Sequence, residues 1–120
     1  MIMNKIVNAT EHKEILKQLA LEFISNGYST FKHWETVTFG GQVSVYADVK
    51  SDRSDDYYIS TSAEFPKKCK FLNEITVSAT CYAVEDGEVV LDCKIEDLGL
   101  TKKQLASFVR WVKIWSLDYK

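Results

Sequence analysis

Three cysteines and two histidines are the residues of this chain best suited to nucleophilic or redox chemistry. Cys69 lies in a lysine cluster, and nearby ammonium groups lower the pKa of a thiol and increase its thiolate fraction. A cysteine nucleophile also needs a general base beside it. Neither His12 nor His33 is near Cys69 in the sequence. We therefore interpret Cys69 as an ordinary loop cysteine and predict no catalytic residue.

Cys81 and Cys93 have the spacing of alternating strand residues rather than that of a metal site. The chain has no CxxC pair, whereas zinc sites use closely spaced ligands. We place both thiols on the buried face of one hairpin, diagonal to each other, where they pack as small hydrophobes. The sequence thus predicts no metal and no cofactor. An odd number of cysteines also fits a reducing cytoplasm.

The charged residues favour no particular ligand. The formal net charge is −2, so no strong field attracts nucleic acid or anionic lipid. The cluster of Lys67, Lys68 and Lys70 has no interleaved aromatic residue and is a weak nucleic-acid signal. The acidic stretch Asp52–Asp56 lacks the glycine and bidentate glutamate of a calcium loop. Because the net charge is small and the lysine cluster lacks aromatic residues, we do not expect nucleic acid as a partner.

Aromatic residues are the strongest candidates for a binding surface. Tyr46, Tyr58 and Tyr82 alternate with serine and threonine along three strands, on the side opposite the apolar residues. Trp34 is expected to join them. Tyrosine offers contact area at a low cost in conformational entropy. We predict a partner-binding surface; the alternative is that tyrosine and threonine occur here because of their strand propensity.

Two residues of the C-terminal helix are also predicted to bind a partner. Trp111 lies at the margin of the apolar stripe, and Ile114 lies about opposite it. An exposed isoleucine forgoes about 1–3 kcal/mol of burial unless something covers it. A partner protein, a second copy or the chain's own tail could provide that cover.

Five strands must position the tyrosines. Each alternates apolar and polar residues with period two, which indicates a sheet with one buried face. Two-residue loops at Gly40–Gly41 and at Asp86–Gly87 would set apolar residues opposite polar ones. We therefore predict three-residue loops at Gly40–Gln42 and Glu85–Gly87, which keep the apolar face whole. The predicted strand pairs are Phe39 with Val43, Val37 with Val45, Ala83 with Val89, Cys81 with Leu91 and Ala79 with Cys93.

One helix is predicted before the strands in the sequence, and another after them. The first covers Thr10–Asn26, begins at an Asn8 or Thr10 cap and stops at Gly27. It places His12 under the end of the sheet and has the apolar residues Ile15, Leu16, Leu19, Ala20 and Phe23. The second follows a capping box at Thr101–Gln104 and runs to about Leu117, with the apolar stripe Leu105, Phe108, Val109, Val112 and Trp115.

The element order α-β-β-β-β-β-α predicts one α+β domain over residues 1–120. Two amphipathic helices and one apolar sheet face make a two-layer sandwich, with a five-stranded antiparallel meander as its second layer. No apolar run reaches the roughly 20 residues that a membrane span needs, and the first residues are too few and too polar for a signal peptide. We expect a cytoplasmic protein.

Of the function classes, a small non-enzymatic protein-binding module fits these features best. We expect a stoichiometric inhibitor of a host defence or nuclease complex, a class of phage and mobile-element products that includes anti-CRISPR proteins. The alternatives are an immunity protein that neutralises a toxin, and a small-ligand-binding domain with a pocket between helices and sheet. The apolar inner face counts against such a pocket. Homodimerisation through the outer sheet face or the C-terminal helix is a further possibility.

Overall fold

The structure, a computed structural model, describes residues 2–26 and 30–120, with side chains from residue 9 onward. Its helices are α1 (Ile2–Asn26) and α2 (Lys102–Leu117). Its strands are β1 (Phe31–Phe39), β2 (Gln42–Lys50), β3 (Tyr57–Pro66), β4 (Thr76–Glu85) and β5 (Glu88–Lys94). Short 3₁₀ turns lie at Leu72–Glu74 and Ile95–Leu98. The five strands form one antiparallel sheet in chain order, which confirms the predicted α+β meander.

The core lies between the two helices and one face of the sheet, called here the inner face. Alternate residues of β2 and β3 are buried, because successive side chains of a strand point to opposite faces. Phe23 of α1 and Phe108 of α2 meet edge to face, with ring centroids 5.1 Å apart. The fully buried apolar residues include Leu16, Ala20, Phe23, Val49, Ile59, Phe65, Phe108 and Val112.

Helix α1 begins at Ile2 rather than at Thr10, so the predicted caps Asn8 and Thr10 lie inside the helix. No proline or glycine interrupts residues 2–10, and local propensity therefore allows the helix to extend. Ile15, predicted in the core, is 44% exposed. The predicted stop at Gly27 lies outside the described residues. None of the described helices is long and apolar enough to cross a bilayer.

Helix α2 follows its prediction closely. The Thr101 hydroxyl accepts the backbone N–H of Gln104 at 3.1 Å, and the Gln104 side chain accepts the backbone N–H of Thr101 at 2.9 Å. This capping box satisfies two donors that the first helical turn leaves unpaired. Phe108 and Val112 are buried, and the other residues of the predicted stripe are partly buried.

The β1–β2 register differs from the prediction. The hairpin loop between β1 and β2 has two residues, because Phe39 pairs with Gln42 and Val37 with Ser44. Gly40 and Gly41 have φ angles of +59° and +80°, which a type I′ turn requires and glycine adopts readily. The predicted pairs with Val43 and Val45 are wrong, since turn geometry outweighed the apolar pattern.

The β4–β5 hairpin also has a two-residue loop, with φ angles of +52° at Asp86 and +79° at Gly87. The pairing shifts between Ala83 and Val84, where Val90 is an extra residue on β5. This bulge restores the apolar face beyond it. Ala83 therefore pairs with Leu91, and Ala79 has no pairing with Cys93. The predicted three-residue loop and its pairs are wrong, although Leu91 and Cys93 do share the inner face.

Candidate protein-interaction surface

The outer face of the sheet, which points away from the helices, contains the four predicted aromatic contact residues. Tyr46, Tyr58 and Tyr82 occupy the positions between buried residues of β2, β3 and β4. Serine and threonine fill most of the sites around them, including Ser44, Ser60, Ser62, Ser78 and Thr80. The alternation predicted this grouping correctly.

The aromatic residues form two cross-strand pairs. Tyr58 pairs directly with Tyr82, and their stacked rings have centroids 5.1 Å apart and an interplanar angle of 27°. Trp34 meets Tyr46 edge to face, with centroids 6.4 Å apart and an angle of 88°. Such pairs contribute about 0.5–1.5 kcal/mol beyond their buried area. The tyrosines are consequently half-buried, and the face presents rings held in place before any partner arrives.

A β-bulge positions Trp34. His33 pairs with Ala47 and Glu35 with Tyr46, so Trp34 is the extra residue on β1. A bulge changes the direction of a side chain relative to the regular alternation. The indole rests against Tyr46 and remains 60% exposed.

Sequence reasoning missed two apolar residues of this surface. Val37 pairs with Ser44 and Phe39 with Gln42, which places both on the outer face. Val37 is 41% exposed and Phe39 is 85% exposed. With Trp34 they form a β1 apolar strip along the edge of the sheet. The Gly40–Gly41 dipeptide, a strong signal for a two-residue turn, could have identified this placement.

A charged cluster interrupts the aromatic face. Lys50 Nζ lies 4.0 Å from Asp48 Oδ2 and 5.8 Å from the centroid of the Tyr58 ring. Burial raises the pKa of Asp48, and this effect exceeds the lowering by Lys50 and by a hydrogen bond from Ser60. Among the described residues, Asp48 Oδ1 is buried and has no hydrogen-bond partner. Burying a polar atom without a hydrogen bond costs desolvation free energy, so Asp48 reduces the stability of the fold.

The predicted contact residues of α2 lie in the helix layer, apart from the aromatic face. Trp111 packs against the core, and its ring stacks on that of Trp115 with centroids 6.2 Å apart and an interplanar angle of 20°. Ile114 is half-buried. The six predicted residues therefore divide between two surfaces, and Trp111 contributes to packing.

His12 links α1 to the sheet, as its position predicted. It is 8% exposed, with Nδ1 2.7 Å from the Tyr57 hydroxyl and Nε2 3.0 Å from Glu85 Oε1. Because a carboxylate only accepts, Nε2 donates to Glu85, and in the neutral imidazole Nδ1 then accepts from the phenol.

A series of hydrogen bonds from a carboxylate through an imidazole to a hydroxyl can activate a nucleophile. Here the first effect on Tyr57 is burial, and it raises the pKa of the phenol; Asp56, Glu85 and Glu11 raise it further. The phenol therefore keeps its proton at neutral pH. The hydrogen bonds of His12 to Tyr57 and Glu85 connect α1 with β3 and β4.

Neither Cys81 nor Cys93 is an activated thiol. Cys81 and Cys93 are free thiols that lie directly opposite each other, not diagonally, and burial raises the pKa of both. Cys69 is half-buried, and its thiol donates to the Phe71 carbonyl at 3.3 Å. Within residues 2–26 and 30–120, no group of three or more His, Cys, Asp or Glu side chains is arranged to hold a metal ion.

Comparisons of the chain with protein-family models, with curated proteins and with solved structures gave no match.

Proposed function

We propose that this chain is a small, non-enzymatic protein-binding module whose contact surface is the outer face of the sheet. One observation carries the proposal: the two cross-strand aromatic pairs lie beside the β1 apolar strip on a face that both helices leave uncovered. Exposed apolar area concentrated in one patch is characteristic of interaction sites.

The composition of the surface supports a protein partner over a small ligand. Tyrosine and tryptophan with neighbouring serine and threonine are the residues that antibody loops use for contact. The half-buried rings are already ordered, which reduces the entropy lost on binding. The inner face, by contrast, is filled by the core, which disfavours a ligand pocket between helices and sheet.

Within this class, we propose a stoichiometric inhibitor that occludes a host defence or nuclease complex in the cytoplasm. The compact size, the raised pKa values of Tyr57, Cys81 and Cys93, and a preorganised contact face support an occluding role over turnover. An immunity protein against a toxin would use the same surface. The two differ in the partner, since an inhibitor targets a host complex and an immunity protein targets a toxin.

The test compares three forms of the protein in affinity capture from the native host. The sheet variant combines Tyr46→Ala, Tyr58→Ala and Tyr82→Ala. Phe71→Ala is the control, because Phe71 is 67% exposed but lies outside the sheet. We expect a partner that the wild type and the control retain and the sheet variant loses, although the variant remains folded by circular dichroism.

The captured partner is then purified and titrated by calorimetry, with its own activity as a second readout. Inhibition that saturates at a fixed molar ratio supports the proposed class. A partner that the sheet variant binds with wild-type affinity would exclude the outer face as the contact surface. Chemical conversion of the partner by this chain would exclude the non-enzymatic role.

A further inference from the structure

A groove with a volume of about 550 Å³ lies along α2, in the helix layer rather than on the outer sheet face. Its apolar lining is formed by Leu72, Leu105, Ala106 and Val109. Its polar lining consists of Lys102, Arg110, Lys113 and Asn73, without a carboxylate. From Lys102 to Lys113 a helix rises by roughly 16 Å, about three turns.

The charge of the chain is segregated towards this groove. Helix α2 and residues 67–74, which include the turn that packs against it, contain seven of the fifteen cationic residues but only one of the seventeen acidic residues, Glu74. The Glu74 carboxylate accepts the backbone N–H groups of Lys70 and Phe71 at 2.8 and 2.9 Å. These bonds hold the carboxylate within its own turn and lower its pKa. These two segments therefore have a strongly positive net charge in a chain whose overall charge is nearly neutral.

Ion pairs among the described residues leave the three cationic side chains of the groove without a carboxylate partner. In the part of the chain that the structure describes, the ion pairs involve His12, Lys32 and Lys50, and none includes Lys102, Arg110 or Lys113. A groove with an apolar floor and uncompensated positive charge at its rim complements a segment that is apolar on one side and negative on the other.

We propose that this groove binds an acidic amphipathic α-helix of a partner protein. The apolar stripe of such a helix would cover Leu105 and Val109, and its glutamates or aspartates would reach the cations at the rim. Helix-in-groove binding of this kind uses anchors at i, i+3, i+4 and i+7, and three turns match the length of the groove. The burial of the floor supplies most of the affinity, because each exposed ion pair contributes little.

Other anionic partners fit this lining less well. A single-stranded nucleic acid binds on aromatic side chains that stack its bases, and the residues that line the groove include no aromatic one. A small anion would engage one end of a rim that extends over three turns and would leave the apolar floor exposed. The inference goes beyond the proposed function, since it concerns a second surface with its own type of partner.

The probe for the test is a synthetic 18-residue peptide labelled with fluorescein. It has leucine at helical i, i+3, i+4 and i+7 positions and glutamate on its other side; the comparison peptide has lysine in place of each glutamate. Fluorescence anisotropy measures binding of each, and the amide shifts of the ¹⁵N-labelled protein locate it. We expect only the acidic peptide to bind and the shifts to concentrate on α2 and residues 72–73.

Matched variants connect the binding to the groove. The groove variant combines Lys102→Glu, Arg110→Glu and Lys113→Glu, and the control combines Lys13→Glu, Lys94→Glu and Lys120→Glu, with the same change in net charge. We expect the groove variant to bind the acidic peptide at least about tenfold more weakly, which corresponds to about 1.4 kcal/mol, and the control to bind within about threefold of the wild type. Thermal melts monitor the fold of each variant.

Several results would overturn the proposal. These are no binding of the acidic peptide at millimolar concentration, equal binding of the two peptides, equal losses in the two triple variants, or shifts located away from α2. Tighter binding to duplex DNA or to phosphatidylserine vesicles, lost in the groove variant, would assign the groove to another class of partner. A variant with Tyr58→Ala and Tyr82→Ala is expected to bind the acidic peptide normally, so the groove and the sheet surface can fail independently.

Discussion

Tyr58 and Tyr82 lie directly opposite each other on β3 and β4, with stacked rings whose centroids are 5.1 Å apart. The same two rings form the centre of the proposed contact surface and a cross-strand pair of the kind that stabilises sheets. Their stacking also explains why residues predicted to be exposed are half-buried. A loss of binding in tyrosine variants therefore has to be separated from a loss of stability.

The first prediction measures that structural role. Tyr58→Ala and Tyr82→Ala should each lower the free energy of unfolding by about 1–2 kcal/mol, because each removes a half-buried ring. A double-mutant cycle followed by urea denaturation should give a coupling energy of about 0.5–1.5 kcal/mol. Additive losses would show that the two rings do not interact in solution.

The second prediction concerns Asp48, whose carboxyl has one buried oxygen without a described partner. Burial raises the pKa of Asp48 above its ordinary value of 3.8. The native state therefore holds the proton more tightly than the unfolded chain does. The resulting stabilisation is fully present below the unfolded pKa and is lost as the pH rises through the folded pKa.

At pH 7 the neutral variant Asp48→Asn should consequently be more stable than the wild type by about 1 kcal/mol, the scale of one unsatisfied buried group. The difference should shrink towards zero as the pH falls through the raised pKa of Asp48, because the carboxyl is then protonated and neutral in the wild type as well. Urea denaturation at a series of pH values measures it. Asp55→Asn, at an exposed loop position, is the control; a pH-independent difference for Asp48→Asn would contradict the assigned cause.

The fold class was predictable because period-two alternation and a capping box are local signals. The strands, their order and the N-cap of α2 at Thr101 follow from residues adjacent in the chain. The strand registers were not predictable in the same way. Our rule placed every apolar residue on one face, whereas two glycine-containing turns and two bulges set the pairing.

In the candidate site, too, residues on regular strands were predictable from the sequence, and residues placed by a turn or by tertiary packing were not. Tyr46, Tyr58 and Tyr82 were found from alternation alone, since those strands are regular. Val37 and Phe39 were assigned to the core, because their placement depends on the turn at Gly40–Gly41 rather than on their own strand. The α2 groove was missed because its charge asymmetry appears only when two segments distant in sequence pack together.

The third prediction tests the Gly40–Gly41 turn. Gly40 has a φ angle of +59°, and an added Cβ would meet no atom within 4 Å. Substitution is therefore limited by backbone conformation rather than by space. Gly40→Val should destabilise the protein by about 1–2 kcal/mol, whereas Gly40→Asn should be nearly neutral because asparagine tolerates the left-handed region. Equal losses in thermal melts would contradict a type I′ turn.

The fourth prediction concerns the His12 cluster. Tyr57→Phe removes the hydroxyl that is hydrogen-bonded to Nδ1 and leaves a buried ring nitrogen unpaired, which should cost about 1–2 kcal/mol. Glu85→Gln preserves an acceptor for Nε2 and should cost less. Chemical denaturation compares the two. A larger loss for Glu85→Gln would show that charge, rather than the phenol bond, holds α1 against the sheet here.

The last prediction concerns the free edge of β1. Among the described strands, β1 pairs with β2 alone and forms one edge of the sheet. The outer face of β1 contains the exposed residues Val37 and Phe39, and their neighbours in the chain include no proline or lysine. Edge strands of this type associate with one another at high concentration. Phe39→Lys should therefore reduce self-association with little effect on stability, because Phe39 is 85% exposed. Sedimentation velocity over a concentration series measures the change. Phe71→Lys, with the same change in charge at a site outside the sheet, is the control, and an equal reduction in both variants would exclude the β1 edge as the site of association.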